Sequence, residues 1–395
     1  MFTIGVDTSA VNEGFKAHAL RGAGRYVSEL VGYLKEHSSS TVKIHTFDAM
    51  HTRGSAFVDR ITDCIPLGKN TIKQQLLFPQ RLANDKVVQA DILHFPAHID
   101  APAWCPKAFV VTVLDLIPIV LSDLYSAGKA SWRFKLARWL ELQAIKKAAL
   151  VLAISEHTAK DVHEILGVPY EKIVVTPLGV DQQFFHAELR DNESDLRQRF
   201  GVPLNRKIII YVGGIDQRKN MPTLLKSFKA VLDSEKEQGR GLPVLLMVGA
   251  IQNDAEFPKL LQLIKALDLT DDVVMPGYIG DAELLQIYAI ATVFFFPSLY
   301  EGFGLPPLEA LAAGVPVVSS GTSAMPEVLG DAAVIFDPND CVAAQQALTR
   351  ILNDDLYANE LSVRGKKQAA TFSWQRTGET TLAAYEQLGR AQGLI

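Results

Sequence analysis

Phe296-Pro297-Ser298-Leu299-Tyr300-Glu301-Gly302-Phe303-Gly304-Leu305-Pro306-Pro307-Leu308-Glu309-Ala310 joins an apolar run to a helix-length stretch through a glycine-bearing loop. Val293–Phe296 reads as a buried strand, and Pro306 or Pro307 suits a first helical turn, where a missing N–H costs nothing. Strand, glycine loop and helix in that order form the repeating unit of a parallel α/β sheet. The glycines leave backbone N–H groups accessible, and the helix N-terminus adds positive dipole. Gly302, Phe303, Gly304 and Leu305 are therefore expected to cradle an anion such as a diphosphate. Glu309, expected in the first helical turn, offers a carboxylate suited to a ribose diol, and Glu301 points beyond the phosphates. The same residues also read as a tight turn with a capping glutamate, and on the motif alone both readings stand.

Outward from this segment, similar strand-like runs recur almost from end to end. Phe2–Val6, Ile92–Phe95, Phe109–Val113, Leu150–Ile154 and Ile173–Thr176 are apolar on both faces. So are Ile208–Val212, Val244–Val248, Val273–Met275 and Val315–Val318. Amphipathic stretches such as Tyr26–Lys35, Glu156–Leu166 and Pro222–Leu232 lie between them, which implies parallel sheets covered on both faces by helices. The alternation weakens between Asp181 and Asn205, a polar stretch read as a linker between two Rossmann-like halves. The expected division is residues 1–185, residues 186–372, and a C-terminal helix over 373–395 that crosses back to the first half. A chain of 395 residues accommodates that arrangement, since domains run to roughly 100–200 residues.

Composition excludes several classes. With 48% hydrophobic and 21% charged residues the chain is globular, and a net charge of −5 gives no global reason to bind nucleic acid. Cys64, Cys105 and Cys341 are too few and too scattered for a disulfide framework or a structural zinc site, which fits a reducing, cytoplasmic compartment. The N-terminal apolar run stops at Asp7, too early for a signal peptide, and Val110–Leu121 is broken by Asp115 and Pro118.

Four further segments bear on function. Tyr211-Val212-Gly213-Gly214-Ile215-Asp216-Gln217-Arg218-Lys219-Asn220 follows a strand, with Asn220 read as an N-cap and Pro222 just inside the helix. Arg218 and Lys219 then lie at the carboxyl edge of the sheet, placed to neutralise a departing diphosphate or to serve as a solvated turn. Gly22-Ala23-Gly24-Arg25-Tyr26 opens the first helix, a weak dinucleotide fingerprint because the third glycine is missing. Val113-Leu114-Asp115 runs off a strand, with Asp115 suited to acceptor binding, proton handling or simple loop capping. Lys129–Lys147 carries six basic residues against one acidic one, including Lys129, Arg133, Lys135 and Arg138. Trp132 and Trp139 lie seven apart, an interfacial pattern on anionic lipid or else a core-facing pair with a solvated charged face. His94 and His98 have metal-compatible spacing but no carboxylate cluster beside them, so satisfied loop histidines are expected and no metal site.

Glu301 and Glu309, with seven residues between them inside PSLYEGFGLPPLEALAAGVPVVSS, resemble the EX7E signature of the family 4 retaining glycosyltransferases. The resemblance runs from Gly5 to about Asp340. It implies the GT-B architecture, two Rossmann-like doubly wound parallel-sheet domains facing across a cleft, the first binding acceptor and the second a nucleotide sugar. It further implies that Arg218 and Lys219 bind phosphate, although many relatives carry Arg where this chain has Gly214. Gly213 and Gly214 would approach the donor, and the Gly22, Ala23 and Gly24 segment the donor phosphate or the acceptor. No metal or other cofactor is implied; the nucleotide sugar is a co-substrate. Relatives often read His-Asp-Leu where this chain has Leu114-Asp115-Leu116, so Leu114 reads either as a donor without a 6-hydroxyl, such as dTDP-rhamnose, or as neutral drift with water filling the gap. The Arg-Lys-Asn and Gly-Ala-Gly-Arg-Tyr segments instead resemble bacterial O-antigen and capsule enzymes, which favours GDP-mannose. The expected acceptor is a polysaccharide or lipid-linked glycan at the inner face of the cytoplasmic membrane. A nucleotide-sugar epimerase, a PLP-dependent phosphorylase and a non-catalytic nucleotide-sugar binding protein remain rival classes.

Overall fold

Residues that are apolar on both faces of an extended chain need cover on both sides, and the fold supplies it twice. The computed structural model describes residues 1–11, 22–37, 40–49, 73–83, 89–125 and 132–395. Contacts divide them into two units, Met1–Gly179 with Trp374–Ile395, and Val180–Ser373. The first holds β1 (Phe2–Asp7), β2 (Val42–Phe47), β3 (Ile92–Phe95), β4 (Ala108–Val113), β5 (Leu150–Ala153) and β6 (Ile173–Val175), in the order β2-β1-β3-β4-β5-β6. The second holds β7 (Ile208–Val212), β8 (Val244–Val248), β9 (Val273–Gly277), β10 (Val293–Phe296), β11 (Val317–Ser320) and β12 (Val334–Phe336), in the order β12-β11-β10-β7-β8-β9. Every neighbouring pair is parallel. The order reverses between β1 and β3 in one sheet and between β7 and β10 in the other. At such a reversal the loops leaving the strands' carboxyl ends diverge and open a crevice.

Several expectations need correction. Two edge strands, β2 and β12, escape the sequence reading because most of their residues are at least partly exposed and the doubly apolar signature is diluted. The strand expected at Val315–Val318 begins two residues later, at Val317. The supposed linker between Asp181 and Asn205 is part of the second unit, with a short turn (Gln182–His186) and a helix (Glu193–Arg199). Its apolar anchors Phe184 and Leu196 are fully buried, and the Gln286 side-chain oxygen accepts from the Arg190 and Asp191 amides. Tethers of this kind make it structure, whatever its polar composition.

The C-terminal helix Trp374–Ala391 packs against the helix Gly22–Glu36 so closely that a Cβ at Gly378 would stand 2.0 Å from the Tyr33 ring. A buried polar chain fixes the same helix to the sheet. The Tyr385 hydroxyl lies 2.6 Å from His94 Nδ1, His94 Nε2 lies 2.8 Å from Thr112 Oγ1, and that oxygen lies 2.9 Å from the Tyr26 hydroxyl. His94 is thus a strand residue in the core, not a loop residue, and both its nitrogens are engaged.

Two buried titratable groups oppose each other here. Burial lowers the His94 pKa to about 3. Burial also pushes the Asp7 carboxyl up to about 7, with hydrogen bonds from Ala49 and Ser9 opposing and the Asp100 charge adding to it. The stability that His94 contributes is present above about pH 6.5 and is lost as pH falls toward its folded value. That of Asp7 is present below about pH 3.9 and is lost as pH rises toward 7. Between about pH 4.5 and 6.5 the two slopes therefore cancel. Urea denaturation across that window should show Asp7→Asn losing about 1.4 kcal/mol per pH unit on acidification. His94→Gln should show the opposite slope, and parallel, flat profiles for both variants would refute these shifts.

Candidate functional site

At the switch point of the second sheet, β7 and β10 each release a loop at the carboxyl edge. The β7 loop passes through Gly213–Asp216 into the short turn Gln217–Lys219 and then the helix Met221–Glu237. Asn220 occupies the residue before that helix but makes no side-chain cap, contrary to the sequence reading. It sits in the left-handed region, φ 56°, where asparagine is tolerated. Its Nδ2 donates to the Pro297 carbonyl at 3.2 Å and the Pro338 carbonyl at 3.0 Å, stapling the β7, β10 and β12 loops together. The β10 loop enters the helix Leu305–Ala313 through Gly304 at φ 101°, where a Cβ would meet the Met325 methyl at 2.2 Å. At that φ an L side chain is strained, which favours glycine at the entry.

This start position corrects the placement of Glu309. Leu305 is the first helical residue, so Pro306 and Pro307 fill the next two positions and Glu309 falls in the second turn, buried. Because both prolines lack an N–H, the amides of residues 302–305 are the donors that this turn can offer an anion.

The two loops meet through charge. Arg218 Nη1 lies 2.6 Å from Glu301 Oε2, and Lys219 Nζ lies 2.7 Å from Glu301 Oε1. Arg218 is further held by Asp216 Oδ1 at 3.1 Å and by the Tyr300 carbonyl at 3.3 Å. Lys219 stands 4.8 Å above the centre of the Phe296 ring. Burial alone would raise the Glu301 pKa, but the charges of Lys219 and Arg218 and their hydrogen bonds hold it down at about 2. The Lys219 ammonium is pulled below its ordinary range, chiefly by burial and by the neighbouring Arg218, with Glu301 pulling the other way. The Glu301 amide donates to Ser323 Oγ at 2.8 Å, and the Tyr211 hydroxyl donates to the Gly214 carbonyl. Burial and the Glu301 charge push the Tyr211 pKa well above its usual value, so it stays a neutral donor. Asp216, Tyr211 and Ser323 had no distinguishing signal in the sequence; they are ordinary loop and strand residues until the loops are folded together.

The expected residues of the first unit occupy its own carboxyl edge. Gly22, Ala23 and Gly24 open the helix Gly22–Glu36, while residues 19–21 lie outside the described residues. Asp115 Oδ1 accepts the Ile117 amide at 3.1 Å, the geometry of a loop cap. The Tyr26 to Thr112 hydrogen bond draws the start of that helix to the end of β4, and hence to Leu114 and Asp115. Trp132 and Trp139 lie on the helix Trp132–Lys147 and are 57% and 55% exposed, which removes the core-facing reading. Lys135 is exposed beside them, and Arg138 pairs with Glu141 at 2.8 Å. Lys129 and the Arg133 side chain fall outside the described residues. Among the described residues no group of three potential ligands could hold a metal, and no helix is long and apolar enough to cross a membrane.

Comparison with known proteins bears on both units. The family described as glycosyl transferases group 1 matches residues 192–368, and glycosyltransferase family 4 matches residues 20–184. O-antigen chain mannosyltransferase B of Escherichia coli is 31% identical over 389 residues, covering 94% of this chain and 97% of that protein. The chain is a family 4 glycosyltransferase. A second similar protein, the serotype-specific mannosyltransferase WbdA of Escherichia coli, is 26% identical over 285 residues. That match covers 72% of this glycosyltransferase and 34% of WbdA. Among solved structures, sucrose-phosphate synthase from Thermosynechococcus elongatus superimposes with a TM-score of 0.71 at 20% identity, over 99% of this chain and 100% of that one. The fold is therefore GT-B and the enzyme a hexosyltransferase.

In this glycosyltransferase the buried ion pairs should count for more than those at the surface. Lys219→Met removes one of two cations from a carboxylate largely shielded from water, and is expected to cost about 3 kcal/mol in chemical denaturation. Arg199→Met breaks a pair with Asp191 in which both side chains are 46% exposed, and should cost less than about 1 kcal/mol after solvent screening. Equal losses would mean that the buried arrangement carries no special electrostatic weight.

Proposed function

We propose that this glycosyltransferase moves a mannosyl group from GDP-mannose to a hydroxyl of a polysaccharide or lipid-linked glycan, with retention at the anomeric carbon. The observation that carries the reading is the near full-length similarity to an O-antigen chain mannosyltransferase. In the proposed reaction the bond from the anomeric carbon to the diphosphate oxygen breaks, and its electron pair leaves with the phosphate. The acceptor oxygen bonds on the same face and passes its proton to the departing phosphate. Arg218 and Lys219 neutralise that leaving group together with the 302–305 amides and the helix dipole, which takes the part a metal ion plays elsewhere. In the second unit Glu301 supports the donor sugar and Glu309 holds the ribose; in the first, Asp115 and the Gly22–Gly24 segment are the candidate acceptor-binding groups.

Leu114 supports a second donor reading, a 6-deoxyhexose such as dTDP-rhamnose, because an apolar side chain offers nothing to a 6-hydroxyl. A thermal-shift panel of GDP-, UDP- and dTDP-sugars separates the two. The correct donor at 100 times its Kd stabilises by about 2.7 kcal/mol, and GDP-mannose is expected to do so. A shift with dTDP-rhamnose alone would replace mannose, and no shift with any nucleotide sugar would remove the reading.

We also place the enzyme on the inner face of the cytoplasmic membrane through the helix Trp132–Lys147. The reading rests on two exposed tryptophans two helical turns apart with Lys135 between them, aromatic anchors and a cation of the kind that favour an anionic lipid surface. In flotation assays the protein should follow vesicles containing phosphatidylglycerol and ignore pure phosphatidylcholine. Trp132→Ala/Trp139→Ala should abolish the association, and a double variant that floats like wild type would count against it.

A further inference from the structure

The proposed donor needs two free cations, yet in this structure one carboxylate occupies both. Each Glu301 oxygen takes one of them, at 2.6 Å and 2.7 Å. Counted with Asp216, which holds the Arg218 Nε, the group of four ionised side chains carries no net charge. The proposed diphosphate site thus carries its own compensating carboxylate.

We infer that Glu301 is the site's own counter-ion: it fills the anion position until the donor's diphosphate displaces it, and its return helps expel the nucleoside diphosphate product. The inference rests on the nucleotide-sugar reading above and adds an exchange of anions to it. The anchoring of the three side chains says which one moves. Arg218 is gripped by Asp216 and by the Tyr300 carbonyl, and its own carbonyl accepts the Leu299 amide at 2.7 Å. Lys219 is buried over the Phe296 ring, next to the Gly213 turn. The Glu301 carboxylate has Arg218 and Lys219 as its partners, and the residue's other tie is through its backbone amide to Ser323. An incoming anion that satisfies both cations therefore releases the carboxylate and leaves the cations in place.

The exchange has a physical rationale. Two neighbouring cations, Lys219 buried and Arg218 largely shielded, would repel each other without an anion and carry an uncompensated desolvation cost. A diphosphate brings more negative charge and more acceptor oxygens than one carboxylate, so it prevails in the exchange at saturating donor. Before and after transfer the tethered carboxylate competes for the same cations at high effective concentration, so it limits how tightly the nucleoside diphosphate is held and speeds its release. Displaced, Glu301 is free to face the sugar, which reconciles its pairing here with its proposed role in the donor complex.

Inorganic pyrophosphate, which needs no assumption about base or sugar, is the test ligand, with GDP beside it. Titration calorimetry should show Glu301→Gln binding pyrophosphate about tenfold more tightly than wild type, equal to about 1.4 kcal/mol. Glu301→Asp, which keeps the charge but retracts it by one methylene, should fall between them. In Glu301→Gln the release of GDP should slow and kcat should drop, so binding and turnover change in opposite directions. If Glu301→Gln is too unstable to titrate, the Glu301→Asp protein decides, since pyrophosphate should raise its Tm more than that of wild type. Equal or weaker pyrophosphate binding in these variants overturns the counter-ion. Failure of wild type to bind or transfer from any nucleotide sugar would instead sink the functional reading, and leaves the pyrophosphate ranking intact as a separate result.

Discussion

A charged group shielded from water must find an opposite charge or give up its own, and that rule organises the second unit. Glu301, Arg218 and Lys219 are all largely removed from solvent, and each is tolerable because the others are present. The glutamate comes from the loop after β10 and the cations from the loop after β7, 82 residues earlier in the case of Lys219. Only a sheet in which β7 and β10 are neighbours brings those loops together, and that adjacency is the point at which the strand order reverses. Asn220, Gly304 and Ser323 fix the loops around the ion pairs, so topology, loop conformation and electrostatics answer to the same constraint.

The first unit meets an analogous constraint without net charge. Its buried polar groups form a chain from Tyr385 through His94 and Thr112 to Tyr26, and the chain ties the C-terminal helix to two strands and to the first helix. Unsatisfied, each of these groups would cost a desolvation penalty; satisfied in series, they hold one arrangement of helix and sheet. The chain ends at Tyr26, close to the start of the helix that Gly22, Ala23 and Gly24 open. One network thus sets both the register of the tail and the position of that helix start.

How much was legible in the sequence follows from where the information lies. Central strands declare themselves as apolar runs because both their faces are covered, whereas β2 and β12, exposed along one side, do not. The polar composition of residues 181–205 hides two apolar anchors, Phe184 and Leu196, that fix the segment to the second unit. The Arg218, Lys219, Glu301 and Glu309 motifs were visible as residue types in glycine loops. That Glu301 closes on the cations is not visible there, since the two loops are 82 residues apart in the chain and only the folded sheet makes them neighbours. The tryptophans of Trp132–Lys147 were ambiguous for a related reason: spacing identifies a face, and only packing says whether that face is covered.

By itself the sequence determined the parallel α/β architecture, the two-sheet count and the family, because strand periodicity, glycine turns and local motif spacing are short-range properties of the chain. Tertiary structure decided the ion-pair network, the placement of Glu309 in the second turn, the buried histidine and the exposure of Trp132 and Trp139. Those depend on which distant segments become neighbours and on how much water remains between them. Electrostatic energies change severalfold with that loss of water, so the character of the site emerges only once the chain has folded.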